Sequence, residues 1–357
     1  MPAGTADRAD GGGDRAVPVT GGPRRRRRVV LALAVSLLVL LGLELVVRAV
    51  DHRLPPPLVW HTAEAQRKVE QMDALAAAGG ADVIFVGSST VNFAADPAVF
   101  TAEAGSATTA YNAALNSGIP RLTATWMLDV VLPRLTPEVV VIGLTSFDLS
   151  DLPVDRAAFY DAFLASPAGA RATGDDSPLD RADQWLRDRS ALWANKASLR
   201  DPETVLDLLR GVEVPEDPEL AALQPSGRTT YLQDRRFDER PVGVGPNLEG
   251  WEVGTRDVAA LRRLIGGVRD AGARAVLVRM PITDEYVARH PDGATDYAEY
   301  TAATEDIAAE EGAEVVDFDE LSDHDLFVDL IHVNRQGSRL FSAELVDKLR
   351  AVGALDP

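Results

Sequence analysis

The sequence predicts an α/β fold built on a parallel sheet, tethered by one N-terminal membrane-spanning helix. Three observations carry that expectation. Short apolar runs recur along the chain and are continuous rather than alternating. Helical patterns separate them. One apolar stretch of 19 residues, Val29 to Val47, follows a run of five arginines, Arg24 to Arg28.

The apolar runs are Val83 to Val86, a weaker Ala107 to Tyr111, Val139 to Ile142, Ala275 to Val278, and Glu314 to Asp317. Continuous runs of this length suit strands buried on both faces. Helical patterns cover 62–78, 120–134, 255–271 and 299–311. Strands alternating with helices imply βαβ units and hence a parallel sheet. Between the third and fourth strands, about residues 149–254, a structureless loop would be implausibly long. The expectation there is a partly helical insertion over the active-site face. Its tryptophans, Trp185, Trp193 and Trp251, are read as filling a small core of their own or touching substrate.

The apolar stretch is long enough to cross a bilayer core of about 30 Å. It is broken only by Ser36, Gly42 and Glu44, and Arg48 stands one helical turn beyond Glu44, within pairing reach. The arginine cluster predicts a cytoplasmic N-terminus and an exported domain. A cleaved signal peptide is the competing reading, because the uncharged run Val29 to Leu43 is short; no small-x-small cleavage site follows it. The expected organisation is a disordered basic cytoplasmic tail over 1–28, a transmembrane helix over 29–50, a linker and lead-in helix over 51–80, and a catalytic domain over 81–355. Pro55 to Pro57 stiffen the linker.

Charge narrows the partners. The net charge is −19, and residues 1–50 hold eight arginines against four acids, which leaves the rest at −23. Such a surface excludes a nucleic-acid footprint. The chain has no cysteine, so disulfides, thiolate catalysis and Cys-ligated metals are excluded.

Two motifs carry chemistry. Gly87-Ser88-Ser89 follows the first strand, where the carboxyl end of a parallel sheet presents ligand sites. A small-residue turn there exposes a serine together with backbone N–H groups, although such turns are also common without function. The second is Asp329-Leu330-Ile331-His332, with Asn334 placed to cap a last helix over about 335–350. Histidine is the side chain best suited to activate a serine, and Asp329 can fix its tautomer. A metal reading of Asp329 and His332 lacks further ligands at useful spacing. His324 reads as solvated, and His52, His61 and His290 lack comparable context.

Together these features resemble the SGNH (GDSL-like) hydrolase superfamily over about residues 80–145 and 270–350. The resemblance implies a flavodoxin-like three-layer α/β/α sandwich. It implies Ser89 as nucleophile and Asp329 and His332 as its partners, with no metal or cofactor. Ser88 stands where the family has Asp. The family's Asn-x-Gly-x-x-Gly block matches Asn112 to Gly118, with Ala114 for the first glycine and Ser117, or Gly118 displaced by one, for the second. The implied oxyanion hole is drawn from Ser89, Ser117, Gly118 and Asn116. The third block, Gly-x-Asn-Asp, reads Gly143 to Asp148, and Phe147 replaces the donor asparagine, for which Asn116 or Ser146 could substitute. The tether, the Gly-Ser-Ser turn and the insertion are similar to the membrane-anchored DltD and alginate O-acetylation subgroup. That subgroup implies an exported serine esterase or O-acyltransferase in the cell membrane, acting on acyl esters of a cell-surface polysaccharide beside a multi-pass membrane O-acyltransferase. The alternative is a non-catalytic binding or scaffold module of a cell-envelope modification complex.

Overall fold

The computed structural model describes residues 23–105, 107–151, 154–212, 217–239 and 248–356. In chain order its first elements are α1 (Pro23–Val50), α2 (Ala63–Ala77), β1 (Val83–Val86), α3 (Ser89–Ala94), α4 (Pro97–Ala104), β2 (Ala110–Asn112), α5 (Pro120–Trp126) and β3 (Val139–Leu144). Short helices follow: α6 (Val154–Ala165), α7 (Pro167–Thr173), α8 (Pro178–Arg187), α9 (Ala191–Ala194), α10 (Pro202–Arg210) and α11 (Pro218–Ala221). The chain closes with α12 (Arg256–Asp270), β4 (Arg274–Arg279), α13 (Asp284–Ala288), α14 (Ala294–Glu311), β5 (Glu314–Asp317) and α15 (Arg335–Ala351).

By internal packing the chain forms two units, one of residues up to 55 with 186–213, the other of 56–185 with 214–357. In the first unit, α1 is long and apolar enough to cross a membrane, as an anchor or a signal sequence would be. It begins at Pro23, so the arginines expected in the tail are helical from the start. Proline suits the first helical position and arginine is a good helix former. Residues 1–22 of the expected tail lie outside the described residues. Glu44 of α1 takes hydrogen bonds from Ser190 Oγ (2.7 Å) and from the first backbone N–H groups of α9, Ala191 (2.9 Å) and Leu192 (3.0 Å). Arg48 bonds Glu44 at 2.6 Å and reaches the Arg189 carbonyl at 2.7 Å. Part of the insertion therefore belongs with the N-terminal helix.

The second unit carries a five-stranded, wholly parallel sheet in the order β2-β1-β3-β4-β5. That is the flavodoxin-like doubly wound order. Strand side chains alternate between two cores. Ile84, Val86, Val140, Ile142 and Leu277 pack with α2, α5, α12 and α14; Val83, Phe85, Val141, Val276 and Val278 pack with α4 and α15. Both faces of β1, β3 and β4 are covered, which is why residues 83–86, 139–142 and 275–278 read as unbroken apolar runs. The fold is the expected three-layer α/β/α sandwich. The helix expected over 120–134 loses α-helical bonding after Trp126 and runs on as a π-turn, Met127–Val131.

The tryptophans do not form a core of their own. Trp251 is buried in the main core with its indole N–H on the Ser146 carbonyl at 2.9 Å, whereas Trp185 and Trp193 are exposed.

Candidate active site

The site assembles at the carboxyl edge of the sheet. β1 ends at Val86, and Gly87 turns the chain with φ +152°. A side chain at Gly87 would meet the Gly143 carbonyl 2.7 Å away and the side chain of Val91. Gly143 at the end of β3 is equally closed by Val91 and Met280. Two glycines thus let α3 sit directly on the strand ends. Ser89, the first residue of α3, is half-buried there.

Its partners come from one loop before α15. Phe327 and Val333 bridge across that loop, and the Val328 N–H bonds the His332 carbonyl at 2.8 Å. Asn334 closes it, its side-chain oxygen accepting from the N–H groups of Gln336 (2.9 Å) and Gly337 (3.1 Å). Asp329 is fully buried; its Oδ1 accepts from the N–H groups of Ile331 (3.0 Å) and His332 (2.8 Å). Asp329 Oδ2 lies 2.8 Å from His332 Nδ1, and His332 Nε2 lies 2.8 Å from Ser89 Oγ. A carboxylate only accepts, so Nδ1 carries the proton and the Nε2 lone pair faces the hydroxyl. Phe93 of α3 packs edge-on to the imidazole, ring centres 5.3 Å apart, and fixes its plane. The structure therefore brings Ser89, His332 and Asp329 into one hydrogen-bonded line.

The four residues expected at the oxyanion hole divide. Asn116 is committed elsewhere: its N–H donates to Glu64 (3.1 Å) and its side-chain oxygen accepts from Asn92 (2.9 Å). The Gly118 N–H closes a turn onto the Leu115 carbonyl at 3.0 Å. A side chain at Gly118 would meet the Gly87 carbonyl 2.9 Å away, so its glycine serves close packing. The backbone N–H groups of Ser89 and Ser117 have no partner among the described residues. Ser117 has φ +60°, the left-handed conformation a family glycine would supply.

The third block is turned inward. Phe147 is buried in the main core. Asp148 caps the 3-10 turn Ser146–Leu149 through Thr145 N (2.8 Å) and Thr145 Oγ1 (3.0 Å). Ser146 cannot replace the missing donor, since its Oγ lies 2.8 Å from both Tyr286 Oη and His290 Nε2. His290, buried and held at Nδ1 by the Val287 carbonyl (3.0 Å), has its pKa lowered by burial. His324 is exposed and bonded to Glu285, which raises its pKa. Among the described residues no cluster of three or more His, Asp or Glu is arranged to hold a metal ion.

Sequence reading missed Phe93, whose apolar position reads as ordinary core, and a buried Lys68 against Asn92. It also missed Tyr231 and Leu232, which bring part of the insertion onto Phe93.

No family model matches the chain, and no curated protein matches it. Solved structures align loosely. A psychrotrophic esterase from Pseudoalteromonas sp. is 13% identical over 76% of this chain and 98% of its own, with a TM-score of 0.38. A carbohydrate acetylesterase from Sinorhizobium meliloti is 10% identical over 76% and 99%, with a TM-score of 0.38. An aryl esterase from M. smegmatis is 12% identical over 76% and 99%, with a TM-score of 0.34. Likenesses this loose carry no functional weight, and the chemistry rests on the site itself.

Proposed function

We propose that the chain is a membrane-anchored serine esterase or O-acyltransferase that works through an acyl-enzyme on Ser89. The observation that carries this reading is the Ser89–His332–Asp329 line, with both links at 2.8 Å. Ser89 Oγ attacks the acyl carbon of an ester while His332 Nε2 takes its proton. The Ser89 and Ser117 N–H groups stabilise the oxyanion of the tetrahedral intermediate. His332 then protonates the departing alcohol. Water, or a hydroxyl of a cell-surface glycan, attacks the acyl-enzyme and completes hydrolysis or transfer. With no side-chain donor from the third block, turnover should run about a hundredfold or more below that of a complete hole. The SGNH resemblance of Gly87-Ser88-Ser89 and Asp329-x-x-His332 supports the same reading.

Anchoring is part of the proposal. Glu44, Arg48 and Asp51 bond to residues 189–195 within one unit, Asp51 through Asn195 at 2.7 Å. Removal of α1 would strip the Glu44 and Arg48 partners, which supports a retained anchor with the catalytic domain outside the membrane. A multi-pass acyltransferase partner would deliver the acyl group.

The test is labelling of the detergent-solubilised chain with a fluorophosphonate. A single adduct on Ser89, lost in His332→Ala, supports the proposal; no adduct in a folded chain contradicts it. Offering an aryl acetate with and without a polysaccharide, then weighing the glycan, separates hydrolysis from transfer.

A further inference from the structure

Lys68 is fully buried, although nothing in the proposed reaction uses it. Removing an ammonium from water carries a large desolvation penalty, and an apolar side chain of that size would pack as well. Its surroundings give it a task. Lys68 Nζ donates to Asn92 Oδ1 at 3.0 Å and to the Ala114 carbonyl, and lies 3.5 Å from Glu64 Oε1. Glu64 in turn accepts from Asn92 Nδ2 at 2.5 Å and from the Asn116 N–H at 3.1 Å. Asn92 also donates to the Asn116 side-chain oxygen at 2.9 Å. Asn92 lies in α3, three residues after Ser89. One pair of charges on α2 thus holds both the nucleophile's helix and residues 114–116 of the loop.

The next residue is Ser117, strained at φ +60°. A non-glycine residue is disfavoured there and persists only when its surroundings over-determine it. Three pins on the preceding residues supply that constraint.

We infer that Lys68 and Glu64 are positioning residues that hold the 114–117 loop so that the Ser117 N–H faces the oxyanion; this rests on the acyl-enzyme reading of Ser89. Neither touches substrate. Lys68 faces Glu64 on its own helix, Tyr111 on β2 bonds its carbonyl, and Glu219 on α11 acts on Glu64. Burial raises the Tyr111 pKa. Glu219 bonds Asn116, and its pKa is raised by burial and by neighbouring Asp217 and Glu64. Burial lowers the Lys68 pKa to about 8, with Glu64 opposing the shift. As pH rises through that value the ammonium loses its proton, the link to Glu64 weakens and the loop loosens.

The experiment uses the full chain in detergent as wild type, Lys68→Met and Glu64→Gln, each checked for a cooperative melt. Hydrogen exchange read by mass spectrometry should rise about tenfold or more over residues 113–118 in both variants. Aryl acetate turnover should fall by up to about a hundredfold in kcat with little change in KM. The decline of wild-type rate above pH 8 should vanish in Lys68→Met. Unchanged exchange and kcat in a folded variant overturn the inference, and Glu64→Gln decides if Lys68→Met does not fold. Faster exchange with no turnover even in wild type keeps the clamp and contradicts the acyl-enzyme reading instead.

Discussion

Among the described residues two serine–histidine pairs share the same 2.8 Å separation, Ser89 with His332 and Ser146 with His290, and their surroundings differ. At Ser89 the far ring nitrogen of His332 meets a buried carboxylate. A buried carboxylate in that place suits the imidazolium that the proposed reaction would form as the serine loses its proton. At Ser146 the far nitrogen of His290 meets the Val287 carbonyl, a weaker and uncharged partner. Ser89 is half-exposed with an unpartnered N–H beside it, whereas Ser146 is sealed and also bonded to Tyr286. A nucleophile is therefore marked by its third group and its access, not by the serine–histidine distance. The second pair does structural work, fixing the turn that carries Phe147 into the core.

The comparison breaks most sharply through substitution at both pairs. Ser89→Ala or His332→Ala should lower aryl ester turnover by about 10⁴-fold or more. Ser146→Ala should leave fluorophosphonate labelling of Ser89 within about threefold and lower stability by about 1–3 kcal/mol, read from a denaturant midpoint. Asp329→Asn should lower turnover by about 10⁴-fold with the fold intact, because an amide favours the wrong tautomer of His332. Phe147→Asn, which introduces the asparagine of the SGNH pattern that the sequence resembles, should lower stability by about 3 kcal/mol rather than raise rate, since Phe147 is core. Calorimetry checks the first part and aryl acetate kinetics the second.

The smallest effect is with pH. Burial lowers the pKa of His290, and that of His61 to about 4. The unfolded chain then binds protons more readily than the folded one below about pH 6.5. Their contribution to stability is full above that pH and is lost as pH falls toward 4. The melting temperature should drop over this window, and less so in His61→Leu. An equal drop in both would contradict the assignment.

Much of the fold was legible because its signals are local. The central strands β1, β3 and β4 stand out as unbroken apolar runs, and Ser89, Asp329 and His332 sit in short motifs at predictable strand and helix ends. What stayed hidden depends on distant partners. Glu64 and Lys68 are four residues apart on a helix and look like an ordinary surface pair until Asn92 and Ala114 fold over them. Ser146 and His290 are 144 residues apart. Glu44 reads as a flaw in an apolar helix, and its partners at 190–192 lie within the insertion. Ser117 and Gly118 both fit the motif, and they differ only in backbone: Ser117 has φ +60°, and the Gly118 N–H is turned onto the Leu115 carbonyl.

The most direct test of the central claim is aryl acetate hydrolysis by Ser89→Ala and Ser146→Ala side by side in the full chain. The account predicts background rate in the first and turnover close to wild type in the second. Wild-type turnover in Ser89→Ala would contradict it.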